Sequence, residues 1–198
     1  MQFIDLSKQQ KLIRKKINAR IESVLDHGQF INGKEVFELE DLLADYVNKK
    51  HCISCSSGTD ALLIPLMAYG IGPGDAVLTT PFTYIATAEV IALLGATPIF
   101  VDIYEKTFNI DPDGIKKAIK FAKNQNLAPK AIIPVDIFGL PARHRLIDEI
   151  AKKHNLIVIE DFAQAFGSSI RGKKAGSFGD VSATSFFPAK PLGCYGDG

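Results

Sequence analysis

Short, almost unbroken apolar runs set between helical patterns constrain this chain more than any other feature. TPIFVDI, KAIIPVDIF and LIVIEDF carry such runs at 98–103, 131–135 and 156–159. Runs of this kind suit strands buried on both faces, the habit of parallel sheets. HCISCS, AVLTT and VSATSFF read as further strands, with helices expected from about Thr59, from about Ala86 and over ARHRLIDEIAKKHN. Strand–helix–strand alternation predicts an α/β fold: a three-layer αβα arrangement around a mostly parallel sheet with right-handed crossovers. Ahead of it, residues 8–27 place Leu12, Ile13, Ile17, Ile21, Val24 and Leu25 at helical spacing, with Gly28 as the stop. Asn32 is the expected cap of a second helix reaching about Tyr46.

The bulk numbers exclude several classes. With 198 residues, 46% of them hydrophobic, the chain can build one good core. A net charge of +1 gives no nucleic-acid footprint. No stretch is long and apolar enough to cross a bilayer, and MQFIDLSKQQKLIRKK turns polar too soon for a secretory signal. Three cysteines, an odd and sparse set, point to a reducing compartment, with cytoplasm expected. His51, Cys52 and Cys55 in HCISC raise a metal site, but a lone C-x-x-C without a second pair is better explained by strand packing, so no metal is expected.

In parallel sheets ligands gather at the carboxyl ends of strands, and four such ends carry chemistry. In SCSSGTDALL, small residues lead into a helix N-terminus near Gly58 and Thr59, a natural anion seat, although any helix needs a Ser, Thr or Asp cap. TTPFTYIATAEV offers Phe82 and Tyr84, able to stack on a flat ligand but equally able to pack the core. VIEDFAQAFGS ends a buried strand in Glu160–Asp161, with Gln164 a turn further on. A carboxylate there needs a partner, such as a protonated ring nitrogen; a capping box formed by Asp161 and Gln164 is the competing reading. In SFFPAKPLGCYGDG, Lys190 stands between Pro188 and Pro191, five residues after Ser185. A desolvated lysine in such a segment is a usable nucleophile, whereas a lysine taken singly is usually only a loop residue. Each feature is weak alone. An anion seat, a stacking ring, an acid and a lysine are together the requirements of pyridoxal phosphate.

SGTDAL, FTYIATAE, GATPIFVDI, IEDFAQAFG and TSFFPAKPLGCYGDG resemble the DegT/DnrJ/EryC1/StrS nucleotide-sugar aminotransferases, as does the opening FIDLSKQQ…HGQFINGKEVFELE. The resemblance implies the large domain of the aspartate-aminotransferase fold (fold type I) and pyridoxal 5'-phosphate as cofactor. It implies that Lys190 forms the Schiff base with that cofactor and moves the proton in transamination, and that Asp161 pairs with the ring nitrogen. Gln164 would contact the side of the ring hydroxyl and Tyr84 would stack on the ring. Gly58 and Thr59, helped by Ser185, would hold the phosphate. FFPAKPLGCYGDG resembles the branch that aminates UDP-linked 3-keto sugars, especially 3-keto-hexuronates for O-antigen. The implied partners are a nucleotide-linked keto sugar and an amino donor, glutamate, with a homodimer for a full-length member. Lys190 stands where the dehydratase branch carries histidine, which favours transamination.

Two departures accompany the resemblance. Phe162 occupies a position where the family usually has alanine. Family members also continue well past GDG, so residues 1–198 are expected to comprise an N-terminal segment plus an incomplete cofactor-binding domain, without the small C-terminal domain. An inactive or non-catalytic truncated remnant is the alternative function.

Overall fold

The structure is a computed structural model that describes residues 5–198. The chain forms two compact units, one ending at Ser54 and one spanning Cys55–Gly198.

The first unit holds α1 (Ser7–His27) and α2 (Lys34–Val47). Gly28 ends α1 at φ 67°, the left-handed conformation that glycine adopts without a steric penalty. Of the expected apolar stripe on α1, Ile13, Ile17 and Val24 are half-buried and Leu12, Ile21 and Leu25 are exposed. The cap of α2 is Gly33, not Asn32, which is itself left-handed at φ 48°. A Cβ at Gly33 would meet the Gln29 carbonyl oxygen at 2.6 Å, so the tight entry turn requires glycine there.

The second unit is the expected α/β layer structure. Its elements are α3 (Gly58–Ala68), β1 (Asp75–Thr79), α4 (Ala86–Leu93), β2 (Thr97–Phe100), α5 (Pro112–Asn124), β3 (Ala128–Ile133), α6 (His144–His154), β4 (Ile157–Asp161), the small hairpin β5 (Ser169–Ile170) and β6 (Lys173–Lys174), and β7 (Val181–Ala183). The sheet runs β2-β1-β3-β4-β7, and every neighbouring pair is parallel. HCISC is not a strand: residues 51–55 are irregular, and no described strand forms a ladder with them. The helix α5 lies outside the expected elements. Asp111 caps it by accepting from Asp113 N at 3.2 Å, Pro112 opens it, and Ile115, Ala118, Ile119 and Ala122 form its buried stripe.

The sheet separates two apolar clusters, and strand alternation decides which side chain enters which. Leu78, Ile132 and Val158 pack with α5 and α6, whereas Val77, Ile133 and Ile159 pack with α3 and α4. Carried two residues to the end of β4, this alternation sends Glu160 toward α6 and Asp161 toward α4. Phe162 is accommodated in a third, smaller cluster with Ala165 and Ala175, its ring 6.1 Å from that of Phe166. The larger side chain therefore fills a pocket of its own and leaves Asp161 in register with Ala183 on β7.

Candidate functional site

Seven residues singled out in the sequence line one cavity of about 430 Å³: Gly58, Thr59, Tyr84, Asp161, Gln164, Ser185 and Lys190. They come from the start of α3, the turn after β1, the end of β4 and the segment after β7. The order of the strands makes this possible, because parallel strands carry all their carboxyl ends to one edge of the sheet.

At the start of α3, Ser57 is the cap and its hydroxyl accepts from Asp60 N at 3.1 Å. The N–H groups of Gly58 and Thr59 belong to the first turn, where helix geometry supplies no acceptor. Gly58 is needed for close packing: a Cβ there would lie 2.6 Å from the Ser185 Cβ. Ser185 Oγ accepts from Phe187 N at 3.2 Å, which holds its hydroxyl at this junction.

Tyr84 is 73% exposed, so it is a rim residue and not a core ring. Phe82 packs against Phe108 and Phe138 instead, with centroids 5.1 and 6.0 Å away. Lys190 sits on a doubled-back segment. Its N–H donates to Phe187 O at 2.8 Å, and Cys194 N and Phe186 N donate to Phe186 O and Gly198 O at 2.8 and 2.7 Å. A Cβ at Gly193 would meet the Pro188 carbonyl oxygen at 2.4 Å, so the return of the chain depends on that glycine.

Asp161 is 6% exposed. Its Oδ2 accepts from the Thr87 hydroxyl at 3.0 Å and its Oδ1 from Ala163 N at 3.2 Å. Burial raises its pKa above the ordinary aspartate value, opposed by those two hydrogen bonds and by the charge of Lys190, while Asp136 adds to the rise. No helix follows Asp161, so the capping-box reading with Gln164 fails; the chain enters turns closed by Ala165 N to Phe162 O and Ser168 N to Ala165 O. Sequence reasoning passed over Thr87, although a buried carboxylate demands a donor and Thr87 is one turn past Tyr84. It also passed over Phe187 and Asp197 on the cavity wall.

On the other face of β4, Glu160, Asp136 and His144 lie together, fully or almost fully buried. His144 Nε2 is 2.8 Å from Asp136 Oδ1, which also accepts from Ala142 N at 2.8 Å. Gly176 N donates to Glu160 Oε1 at 2.6 Å, and Ser182 Oγ is 2.9 Å from Glu160 Oε2 and 3.1 Å from Phe178 O. Most of the ligand atoms of this cluster are thus engaged in internal hydrogen bonds. Since Phe178 O can only accept, the Ser182 proton can point to it while a protonated Glu160 donates to Ser182. Desolvation, with the nearby Asp136 charge, pushes the Glu160 carboxyl up to about 7.

Residues 11–198 match the model of the DegT/DnrJ/EryC1/StrS aminotransferase family, and the chain belongs to that family. It is 54% identical over 198 residues to a UDP-2-acetamido-2-deoxy-3-oxo-D-glucuronate aminotransferase of Pseudomonas aeruginosa, covering 100% of this chain and 54% of that protein. A DegT/DnrJ/EryC1/StrS aminotransferase from Brucella abortus superposes with a TM-score of 0.97 at 50% identity, covering 100% of this chain and 53% of that one. The ntda protein of Bacillus subtilis, solved with bound cofactor PMP, superposes with a TM-score of 0.82 at 36% identity, covering 92% and 40% of the two chains. The chain therefore spans about half the length of the relatives it matches. None of the described helices is long and apolar enough to cross a membrane.

Two outcomes are expected. Gly58→Ala costs about 1–3 kcal/mol of stability through overpacking against Ser185, and costs less when Ser185→Gly is also present. Urea unfolding of the wild type, the two single variants and the double variant measures this, and an equal cost in both backgrounds contradicts the contact. The second concerns pH. With its carboxyl raised from 4.5 to about 7, Glu160 keeps a proton in the native state that the unfolded chain has already released. Its contribution to stability is fully present below pH 4.5 and is lost as pH rises through about 7. Glu160→Gln flattens the fall of unfolding free energy across that window; unchanged slopes contradict the assignment.

Proposed function

We propose that this chain contributes the cofactor-binding half of an aminotransferase that uses pyridoxal phosphate to aminate a keto group on a nucleotide-linked sugar. The observation carrying the proposal is the convergence of Lys190, Asp161 and the α3 N-terminus on one cavity. The residues suit the group. Gly58 lets the start of α3 pack directly against Ser185, the first-turn N–H groups suit a phosphate, and Asp161 offers a buried acceptor to a ring nitrogen.

In this reading Gly58, Thr59 and Ser185 hold the phosphate, Tyr84 covers the ring and Gln164 meets its hydroxyl side. When bound, the cofactor supplies an electron sink for the pair left by a broken C–H bond. Asp161 makes that sink effective by keeping a proton on the ring nitrogen. Its burial lets the charge act strongly, since little water screens it. Lys190 would hold the aldehyde end of the cofactor and would be the base that takes the proton from the donor's α-carbon.

The Pseudomonas relative favours a UDP-linked 3-keto-hexuronate as acceptor, within surface-polysaccharide synthesis. Glutamate is the proposed donor, a homodimer the proposed assembly and the cytoplasm the proposed location. Addition of pyridoxal phosphate to the chain is expected to give a visible absorbance band that borohydride abolishes. Lys190→Ala is expected to lose that band, and a band of equal strength in the variant contradicts the role of Lys190.

A further inference from the structure

The buried cluster behind β4 has no part in the cavity, yet it is tied to the residue at the cavity's centre. Asp136 N donates to Asp161 O and Asp161 N to Pro134 O, both at 2.9 Å, so the ends of β3 and β4 are laced at the level of the site. Asp136 is fully buried, and its Oδ2 has no hydrogen-bond partner. His144 Nε2 is hydrogen-bonded to its Oδ1 at 2.8 Å. The Phe178 ring lies flat on the imidazole, 4.4 Å away and inclined by 1°, which keeps water off that side.

A carboxylate this dry acts over a longer range than a solvated one. The charged groups that bear on Asp161 are Lys190 from the segment after β7 and Asp136 from the end of β3, the first favouring its ionised form and the second opposing it. Glu160 belongs to its own strand, His144 comes from α6, and α4 presents the neutral Thr87 hydroxyl. His144 is the side chain placed to weaken the opposition of Asp136, alongside the Ala142 N–H that donates to the same oxygen.

We propose that His144 is a positioning residue for the cofactor site: by pairing with Asp136 it withholds that carboxylate's charge from Asp161 and keeps Asp161 ionised for the cofactor's ring nitrogen. The functional meaning rests on the proposed cofactor, but the linkage between the three side chains belongs to the protein alone and is measurable without it.

The test is a carbon-13 NMR titration of the Asp161 carboxyl in the full 198-residue chain, with no cofactor added and the resonance assigned through Asp161→Asn. His144→Phe is expected to raise the Asp161 midpoint, the direction of a like-charge effect. Asp136→Asn combined with His144→Phe is expected to return it toward the wild-type value, because the repelling charge is then gone. If His144→Phe does not fold, His144→Gln serves: it keeps a donor for Asp136 without the imidazole, and a smaller rise is expected. A midpoint unchanged by removal of the imidazole overturns the proposal, and so does a midpoint that stays raised in the double variant. Loss of the visible band in Lys190→Ala is independent of either result, so failure of the linkage and failure of the cofactor assignment are told apart.

Discussion

Burial of the Asp161 carboxylate is the constraint on which the rest of the site depends. An ionised group at the end of an interior strand is costly unless donors and a counter-charge meet it. The chain provides Thr87 Oγ1, Ala163 N and the field of Lys190. Each comes from a different element, so α4, the turn after β4 and the segment after β7 must all be in place for Asp161 to be tolerated. The residues that make the acid bearable also define the cavity. Stability and chemistry are coupled at this point through one oxygen pair.

The alternation of β4 divides two acids between two tasks. Asp161 faces α4 and the cavity, and Glu160 faces α6 and an enclosed polar cluster. A slip of one residue in register would exchange them. Pairing of Ile159 with Val181 and Asp161 with Ala183 fixes the register on one side, and the backbone bonds from Asp136 N to Asp161 O and from Asp161 N to Pro134 O fix it on the other. Phe162, the residue that departs from the usual family pattern, does not disturb this because its ring turns into the small cluster with Ala165 and Ala175.

Much of this was legible in the sequence because it depends on short-range rules. Continuous apolar runs identified β2, β3 and β4, and small polar residues before an apolar helix marked the start of α3 at Gly58 and Thr59. What escaped depends on contacts between segments distant in the chain. HCISC has strand-like composition, but a strand exists only where a neighbour completes its ladder, and no described strand does so. Thr87 and Asp161 are separated by 74 positions, so nothing local announces their bond. Asn32 is a good cap by type, yet the close approach of Gln29 O gives the position to Gly33. The helix α5 is a different case: its cap, its proline and its apolar stripe are all readable, and two parallel strands require a crossover between them.

The central claim is that crossover segments aim Lys190, and not another amine, at the seat between Asp161 and the α3 N-terminus. Mass mapping of the chain after treatment with pyridoxal phosphate and borohydride tests it most directly. The account predicts one dominant reduced adduct, on the peptide carrying Lys190. Adducts spread over surface lysines, with Lys190 unmodified, would contradict it.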